Sequence, residues 1–174
     1  ATRVRVVAFT GDATHSIDRA RALAAADNEL GGLDILVNNA GISAHGRYLD
    51  ASPDRLRKIM EVNFFAAVEL ARESAPLLEQ GKSPVVVNIG SILGHRGIPY
   101  TSEYCCSKFA LHAWSEAVRP EFARHGIDVL VVAPAATKTE LFENVIERLG
   151  DRPWREKRGD SAELVARRTV NAIE

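Results

Sequence analysis

The chain has 174 residues, of which 46% are hydrophobic and 26% charged, with 22 Lys and Arg against 23 Asp and Glu for a formal charge of -1. That length supports a continuous core without disulfides or a structural metal, and the balanced charge argues against a nucleic-acid or membrane-surface protein. Cys105 and Cys106 are adjacent, and histidines 15, 45, 95, 112 and 125 never recur at three or four residues, so neither a disulfide framework nor a metal site is expected. Apolar runs fall short of a membrane span and the first residues, ATRVRVVAFTG, lack a signal-peptide pattern, so the expected compartment is the reducing cytoplasm.

In chain order, the β-branched run over residues 4–9 predicts a strand that turns at Thr10-Gly11-Asp12. Ser16 suits the cap of a helix carrying Ile17, Ala20, Leu23, Ala24 and Leu30 on one face, ended by Gly31-Gly32. A strand over residues 34–38 runs into Asn39-Ala40-Gly41. Ser52 as cap, Pro53 at the first helical position and Asp54 in the first turn open the next helix, which continues towards Leu78. Residues 84–89 form a third strand. A helix covers about 102–125, kinked at Pro120 and ended by Gly126. Residues 127–133 form a fourth strand, Leu141, Phe142, Val145, Ile146 and Leu149 one face of a short helix, and residues 162–173 the last helix.

Continuous apolar strands alternating with helices predict an α/β domain whose parallel sheet is covered on both faces. The whole chain reads as a single domain without repeats. In such sheets ligands lie beyond the carboxyl ends of the strands. Those ends hold Asp12, Asn38 to Gly41, Ser91, and the run from Pro134 to Thr139, all small or polar. The same residues also suit ordinary turns.

Tyr104-Cys105-Cys106-Ser107-Lys108 begins thirteen residues after Ser91, and Asn63 lies twenty-five after Asn38. With NNAG at Asn38 to Gly41 and the helical Val62-Asn63-Phe64, this order of motifs resembles the short-chain dehydrogenase/reductase family across essentially the whole chain. The resemblance implies a Rossmann-like doubly wound parallel sheet and NAD or NADP as cofactor. It implies catalytic roles for Asn63, Ser91, Tyr104 and Lys108. Cofactor contacts would come from Asp12 at the adenine, Asn39, Ala40 and Gly41 on the adenosine side, Tyr104 and Lys108, and Pro134 to Thr139 near the nicotinamide. Ala135 stands where the family's PGxxxT has glycine, a substitution that matters if that position needs a positive φ. A homodimer or homotetramer is expected.

The family's glycine-rich TGxxxGxG turn is not found in these residues, and Thr10-Gly11-Asp12 corresponds to the end of its third strand. By this resemblance the sheet is truncated at both ends. The strand at residues 4–9 would then stand about 14 Å from its nearest neighbour, without a ladder partner. Either the working protein is longer, or that strand moves beside the next one.

Tyr104 and Lys108 are four apart on a predicted helix and share a face. A cation about 4 Å from a phenol is worth roughly 4 kcal/mol at an effective dielectric of about 20, so Lys108 is expected to draw Tyr104 down from about 10 towards neutrality. Ser91 can donate to a substrate carbonyl or hydroxyl, and is no nucleophile elbow because Ile89 and Leu93 replace the flanking glycines. Asn63 lies on an apolar stripe, where a buried amide must find partners. The resemblance supplies a backbone distortion and an ordered water leading to Lys108.

Trp154 and the face from Leu141 to Leu149 suggest a lid over an apolar substrate within residues 138–160. The interleaved charges of Arg152, Arg155, Lys157 and Arg158 with Asp151, Glu156 and Asp160 read as a solvated loop. The expected function is oxidoreduction between a small-molecule alcohol and ketone. The alternative is a noncatalytic Rossmann-like fragment or cofactor-sensing module, which the missing glycine turn favours.

Overall fold

The computed structural model describes residues 4–150 and 159–173. At its centre lies a three-stranded parallel sheet in the order β1-β2-β3, from β1 (Ile35–Asn38), β2 (Val85–Ile89) and β3 (Asp128–Val132). Leu36 pairs with Val86 and Val86 with Val129, so the carboxyl ends of all three strands point the same way. Val85, Val86, Val87 and Asn88 are all buried, as a central strand requires. On β1, Leu36 and Asn38 are buried while Ile35 and Val37 are 43% and 47% exposed. The cover expected on both faces is therefore present on only one face at this edge, among the described residues.

α1 (Ser16–Ala25) runs into a π-helical turn, Ala26–Leu30. α2 (Arg55–Met60) passes through a second π-helical turn, Glu61–Phe65, into α3 (Ala66–Leu78). α4 (Ser102–Ala123) runs as one helix through Pro120, and the left-handed Gly126 ends the connection that follows it. Leu36, Ala71, Leu78, Val86 and Ile127 form the core, with Leu70, Trp114 and Phe122 packed around it. α3 and α4 thus cover one face of the sheet, and α4 carries Tyr104 and Lys108. No described helix is long and apolar enough to cross a membrane.

Several expectations are corrected. Residues 4–9 form no strand: they pair with nothing in the sheet, and Val4 and Val6 are 80% and 83% exposed. The predicted helix over residues 141–149 reduces to one 3-10 turn, Glu140–Phe142, because the Ile146 and Leu149 amides donate to the Ser43 and His45 carbonyls instead. Ser16 is the first residue of α1 and not its cap; His15 holds that place without a side-chain bond. α2 starts at Arg55, whose amide donates to the Ser52 carbonyl at 3.1 Å. An unforeseen parallel pair joins β4 (Thr137–Lys138) to β5 (Asp160–Ser161), ahead of α5 (Ala162–Ile173). Trp154 and most of the expected charged loop lie outside the described residues.

Candidate active site

Beyond β2 the chain turns through Gly90 into Ser91, which caps the 3-10 turn Ile92–Gly94 by accepting from the Leu93 amide at 3.1 Å. The Ser91 amide donates to His112 Nε2 at 3.3 Å. A Cβ on residue 90 would fall 2.0 Å from that nitrogen, so glycine there lets the imidazole lie beneath the serine loop. His95 packs edge-on to His112, with ring centroids 4.4 Å apart.

Tyr104, Lys108, His112 and Ser115 follow one another at helical spacing on the buried side of α4. Tyr104 is 5% exposed, and burial pushes its phenol above the usual value against the downward pull of a hydrogen bond with Ser91. The expected lowering by Lys108 is not found. Lys108 Nζ sits 5.8 Å from the Tyr104 ring centroid and donates to the Ile89 carbonyl at 2.7 Å. Burial instead brings Lys108 itself from 10.5 down to about 8. His112 is also lowered, by burial and then by His95 and Lys108, while Glu116 opposes.

Asn63 occupies the π-helical turn between α2 and α3. Its Oδ1 accepts from the Ile42 amide at 2.8 Å, and its Nδ2 donates to the Ile42 carbonyl and to Ser107 Oγ, each at 2.9 Å. A second polar ladder crosses the sheet, in which Asn38 donates to Asn88 at 2.8 Å and Asn88 to Ser115 at 2.9 Å. Both ladders satisfy buried amides and fix the chain after β1 against α4.

Gly41 faces Asn63 and Lys108; a Cβ there would lie 3.4 Å from Asn63 Oδ1 and 3.8 Å from Lys108 Nζ. Pro134 joins the same cluster, its carbonyl accepting from the Ile92 amide at 3.0 Å. Ala135 has no positive φ, so its side chain is accommodated. Asn39 and Ala40 are exposed at the end of β1, and Thr139 is extended and exposed before its 3-10 turn. Asp12 is engaged locally, accepting from the Thr14 amide and hydroxyl at 2.9 and 2.8 Å, which hold its carboxyl below the usual range. The structure therefore gathers Gly41, Asn63, Ser91, Tyr104, Lys108 and Pro134; Asn39 and Ala40 directly precede Gly41 in the chain, while Asp12 is bonded to Thr14 instead.

Sequence reasoning missed His112, which continues the four-residue spacing of Tyr104 and Lys108, and Ser107, the partner of Asn63 inside the same motif. It also missed the ion-pair group that Glu103 and the part-exposed Glu147 form around the buried Arg55, joined only by the fold. Among the described residues no cluster of His, Cys, Asp or Glu is placed to hold a metal. The Gly41 backbone beside the Lys108 ammonium is a polar setting whose chemistry suits the hydroxyl-rich ribose end of a dinucleotide.

Parallel strands carrying a buried serine–tyrosine pair and a desolvated lysine at their carboxyl ends define a Rossmann-like α/β domain. The short chain dehydrogenase profile matches residues 1–150, and the chain belongs to that family. It is 36% identical over 135 residues to dehydrogenase/reductase SDR family member 7B of Bos taurus, covering 75% of this chain and 42% of that protein. It is 34% identical over 133 residues to the 3-ketodihydrosphingosine reductase of Bacteroides thetaiotaomicron, covering 76% and 49% respectively. The chain thus spans less than half the length of these relatives. A short-chain dehydrogenase from Streptomyces avermitilis superposes with a TM-score of 0.82 at 26% identity, covering 95% of this chain and 66% of that one. A Burkholderia cenocepacia relative solved in complex with NADP gives 0.77 at 29% identity, covering 95% and 65%.

Proposed function

We propose that the protein is an NAD- or NADP-dependent oxidoreductase that interconverts a small-molecule alcohol and a ketone, with Tyr104 as general acid and base. The observation that carries this reading is the buried Ser91–Tyr104 hydrogen bond beside a Lys108 brought to about 8. Tyr104 and Lys108 hold the ribose beside the Gly41 backbone, with Pro134 and Thr139 at the nicotinamide and Asp12, Asn39 and Ala40 on the adenosine side. When bound, the nicotinamide supplies or accepts the hydride. Ser91 Oγ donates to the substrate oxygen, and Tyr104 Oη gives that oxygen its proton in reduction and takes it back in oxidation. Burial brings Lys108 to about 8, in the range where general acid–base groups are effective. Asn63 acts as a positioning residue through Ile42 and Ser107. The reductases among the relatives support a ketone with an apolar chain as substrate.

Changing Tyr104 to Phe is expected to lower turnover by about 10²- to 10⁴-fold while weakening NADH or NADPH binding by no more than about tenfold, the loss of one ribose contact. Unchanged turnover overturns the assignment. A second reading is a noncatalytic cofactor-sensing module. Titration with NADH and NADPH, followed through Trp114 and nicotinamide fluorescence, separates the two: saturable binding with turnover supports the enzyme, and binding without turnover of any ketone supports the module. The open groove lined by Tyr48, Leu49, Leu56, Met60 and Phe65, with Phe109 exposed on α4, supports a homodimer or homotetramer.

A further inference from the structure

Three stretches distant in sequence meet next to the residues assigned above. The segment after Ile42 runs parallel to the one after β3: the Ile146 amide donates to the Ser43 carbonyl at 2.9 Å, the His45 amide to the Glu147 carbonyl at 2.9 Å, and the Leu149 amide to the His45 carbonyl at 2.8 Å. The Gly46 amide then donates to the Tyr100 carbonyl at 3.0 Å, tying in the chain that enters α4. Gly46 has φ +145, and a Cβ there would lie 2.5 Å from Leu149 Cβ, so the two backbones approach as closely as glycine permits.

Backbone bonds of this kind do not depend on side-chain identity, and a slip of one residue turns every side chain to the opposite face. A residue-specific contact is needed to choose the register. Arg55 provides it. The guanidinium is 1% exposed and binds Glu103 Oε1 through Nε and Nη2 at 2.8 and 2.6 Å. Its remaining arm, Nη1, reaches Glu147 Oε1 at 3.1 Å, and that oxygen also accepts from the Ser52 amide at 3.2 Å. Glu103 immediately precedes Tyr104.

We propose that the Arg55–Glu147 ion pair is a register pin that holds residues 145–149 as a fixed wall of the substrate site, making Glu147 a positioning residue for the ketone. This inference rests on the oxidoreductase reading. Through Arg55, the wall is referenced to the same helix that carries Tyr104 and Lys108. With the pin intact, Val145, Ile146 and Leu149 keep one orientation relative to the Gly41–Ile42 turn. Without it, the wall samples alternative registers and the ketone meets a variable surface.

Glu147→Gln tests this because it keeps the side-chain size and the acceptor for Ser52, and leaves Arg55 paired with Glu103. Hydrogen exchange of the His45, Ile146 and Leu149 amides is expected to speed up roughly three- to tenfold, while exchange in β2 and the middle of α4 stays the same. With NADPH and a panel of acetophenone, cyclohexanone, ethyl acetoacetate and 2-octanone, KM for the best ketone is expected to rise by about the same factor, with kcat and NADPH affinity nearly constant. Gly46→Ala displaces Leu149 without touching a charge and is expected to raise KM in the same way. Unchanged exchange in Glu147→Gln overturns the pin, and faster exchange with unchanged KM overturns its role in positioning. A wild-type protein that binds NADPH but reduces no ketone refutes the oxidoreductase reading itself, and does so before any variant is compared.

Discussion

The side-chain amide of Asn63 closes on both backbone polar groups of Ile42, accepting from its N–H at 2.8 Å and donating to its C=O at 2.9 Å. A side chain so placed behaves like one rung of a β ladder, docking the turn after β1 onto a helix. The π-helical turn Glu61–Phe65 supplies the extra residue that aims Asn63 inward, and the Ala66 amide closes it by donating to the Glu61 carbonyl. Because Gly41 lies one residue before Ile42 and faces Lys108, this rung sets the position of the proposed ribose site.

Asn63→Ala therefore leaves the Ile42 amide and carbonyl without their partner in a buried setting. At about 1–3 kcal/mol for each of the two stranded groups, the expected loss is roughly 2–6 kcal/mol, or about 5–20 °C in Tm. Thermal unfolding measures the loss, and hydrogen exchange at Ile42 localises it. A variant that unfolds within a degree of the parent would show that the rung is dispensable.

His112 gives the site a pH dependence whose sign follows from one bond. Its Nε2 accepts from the Ser91 amide, so the ring must be neutral there, and its buried Nδ1 has no hydrogen-bond partner among the described residues. Burial, His95 and Lys108 all hold its pKa below the usual value, against Glu116. Unfolded His112 takes a proton first as pH falls, so folded stability declines below about 6.5 until the folded ring also titrates. Below that point a protonated Nε2 faces the Ser91 N–H, and ketone turnover is expected to fall. His112→Gln offers an acceptor in the same place without titrating. It is expected to keep turnover at pH 8 within about fivefold and to flatten the acid limb of kcat/KM. An acid limb identical to the parent's assigns that titration to another group.

The legible parts of this molecule were those written in local spacing. β1, β2 and β3 read as apolar runs, and Tyr104 and Lys108 declare their shared helical face four residues apart. Ser91 marks a strand end. The illegible parts depend on partners remote in sequence. Residues 145–149 carry a helix-like apolar pattern, yet their amides go to Ser43 and His45, a pairing that no local window contains. Residues 4–9 have the β-branched composition of a strand, but composition supplies no neighbour to bond with. Arg55 looks like a surface arginine on an amphipathic helix until Glu103 and Glu147 close around it. The protonation of Lys108 and Tyr104 follows the same rule: their spacing suggests a pairwise attraction, and burial, set by the fold, opposes and outweighs it.

The Arg55–Glu103 pair lends itself to a double-mutant test, with the two side chains 1% and 3% exposed. Arg55→Met strands the Glu103 carboxylate and is expected to cost about 3–5 kcal/mol. Glu147, with 21% of its side chain exposed, can regain water and adds little to that loss. Combining Arg55→Met with Glu103→Leu removes both charges, and is expected to recover most of the stability because a buried ion pair gains little over apolar side chains of similar volume. Urea unfolding of the two single variants and the double variant gives the coupling. Equal destabilisation of Arg55→Met and the double variant would mean that shape at this site matters and charge does not.

Lys108 is held at a site that opposes its charge. A drop from 10.5 to about 8 in a 4% exposed group corresponds to roughly 3 kcal/mol against the folded state wherever the amine is charged in both states, which includes pH 7. The lost hydrogen bond to Ile89 offsets about 1 kcal/mol of this, so Lys108→Met is expected to stabilise the fold by about 1–2 kcal/mol, or several degrees in Tm. The same variant should lose turnover and bind NADH or NADPH more weakly. From pH 8 to 10.5 the unfolded lysine keeps its proton while the folded one gives it up, so the wild-type protein gains stability with rising pH and the advantage of Met shrinks. Melting curves at pH 7, 8.5 and 10 follow this convergence. A Lys108→Met protein less stable than its parent at pH 7 would show that the ammonium is well solvated in place, and that its tuning needs another cause.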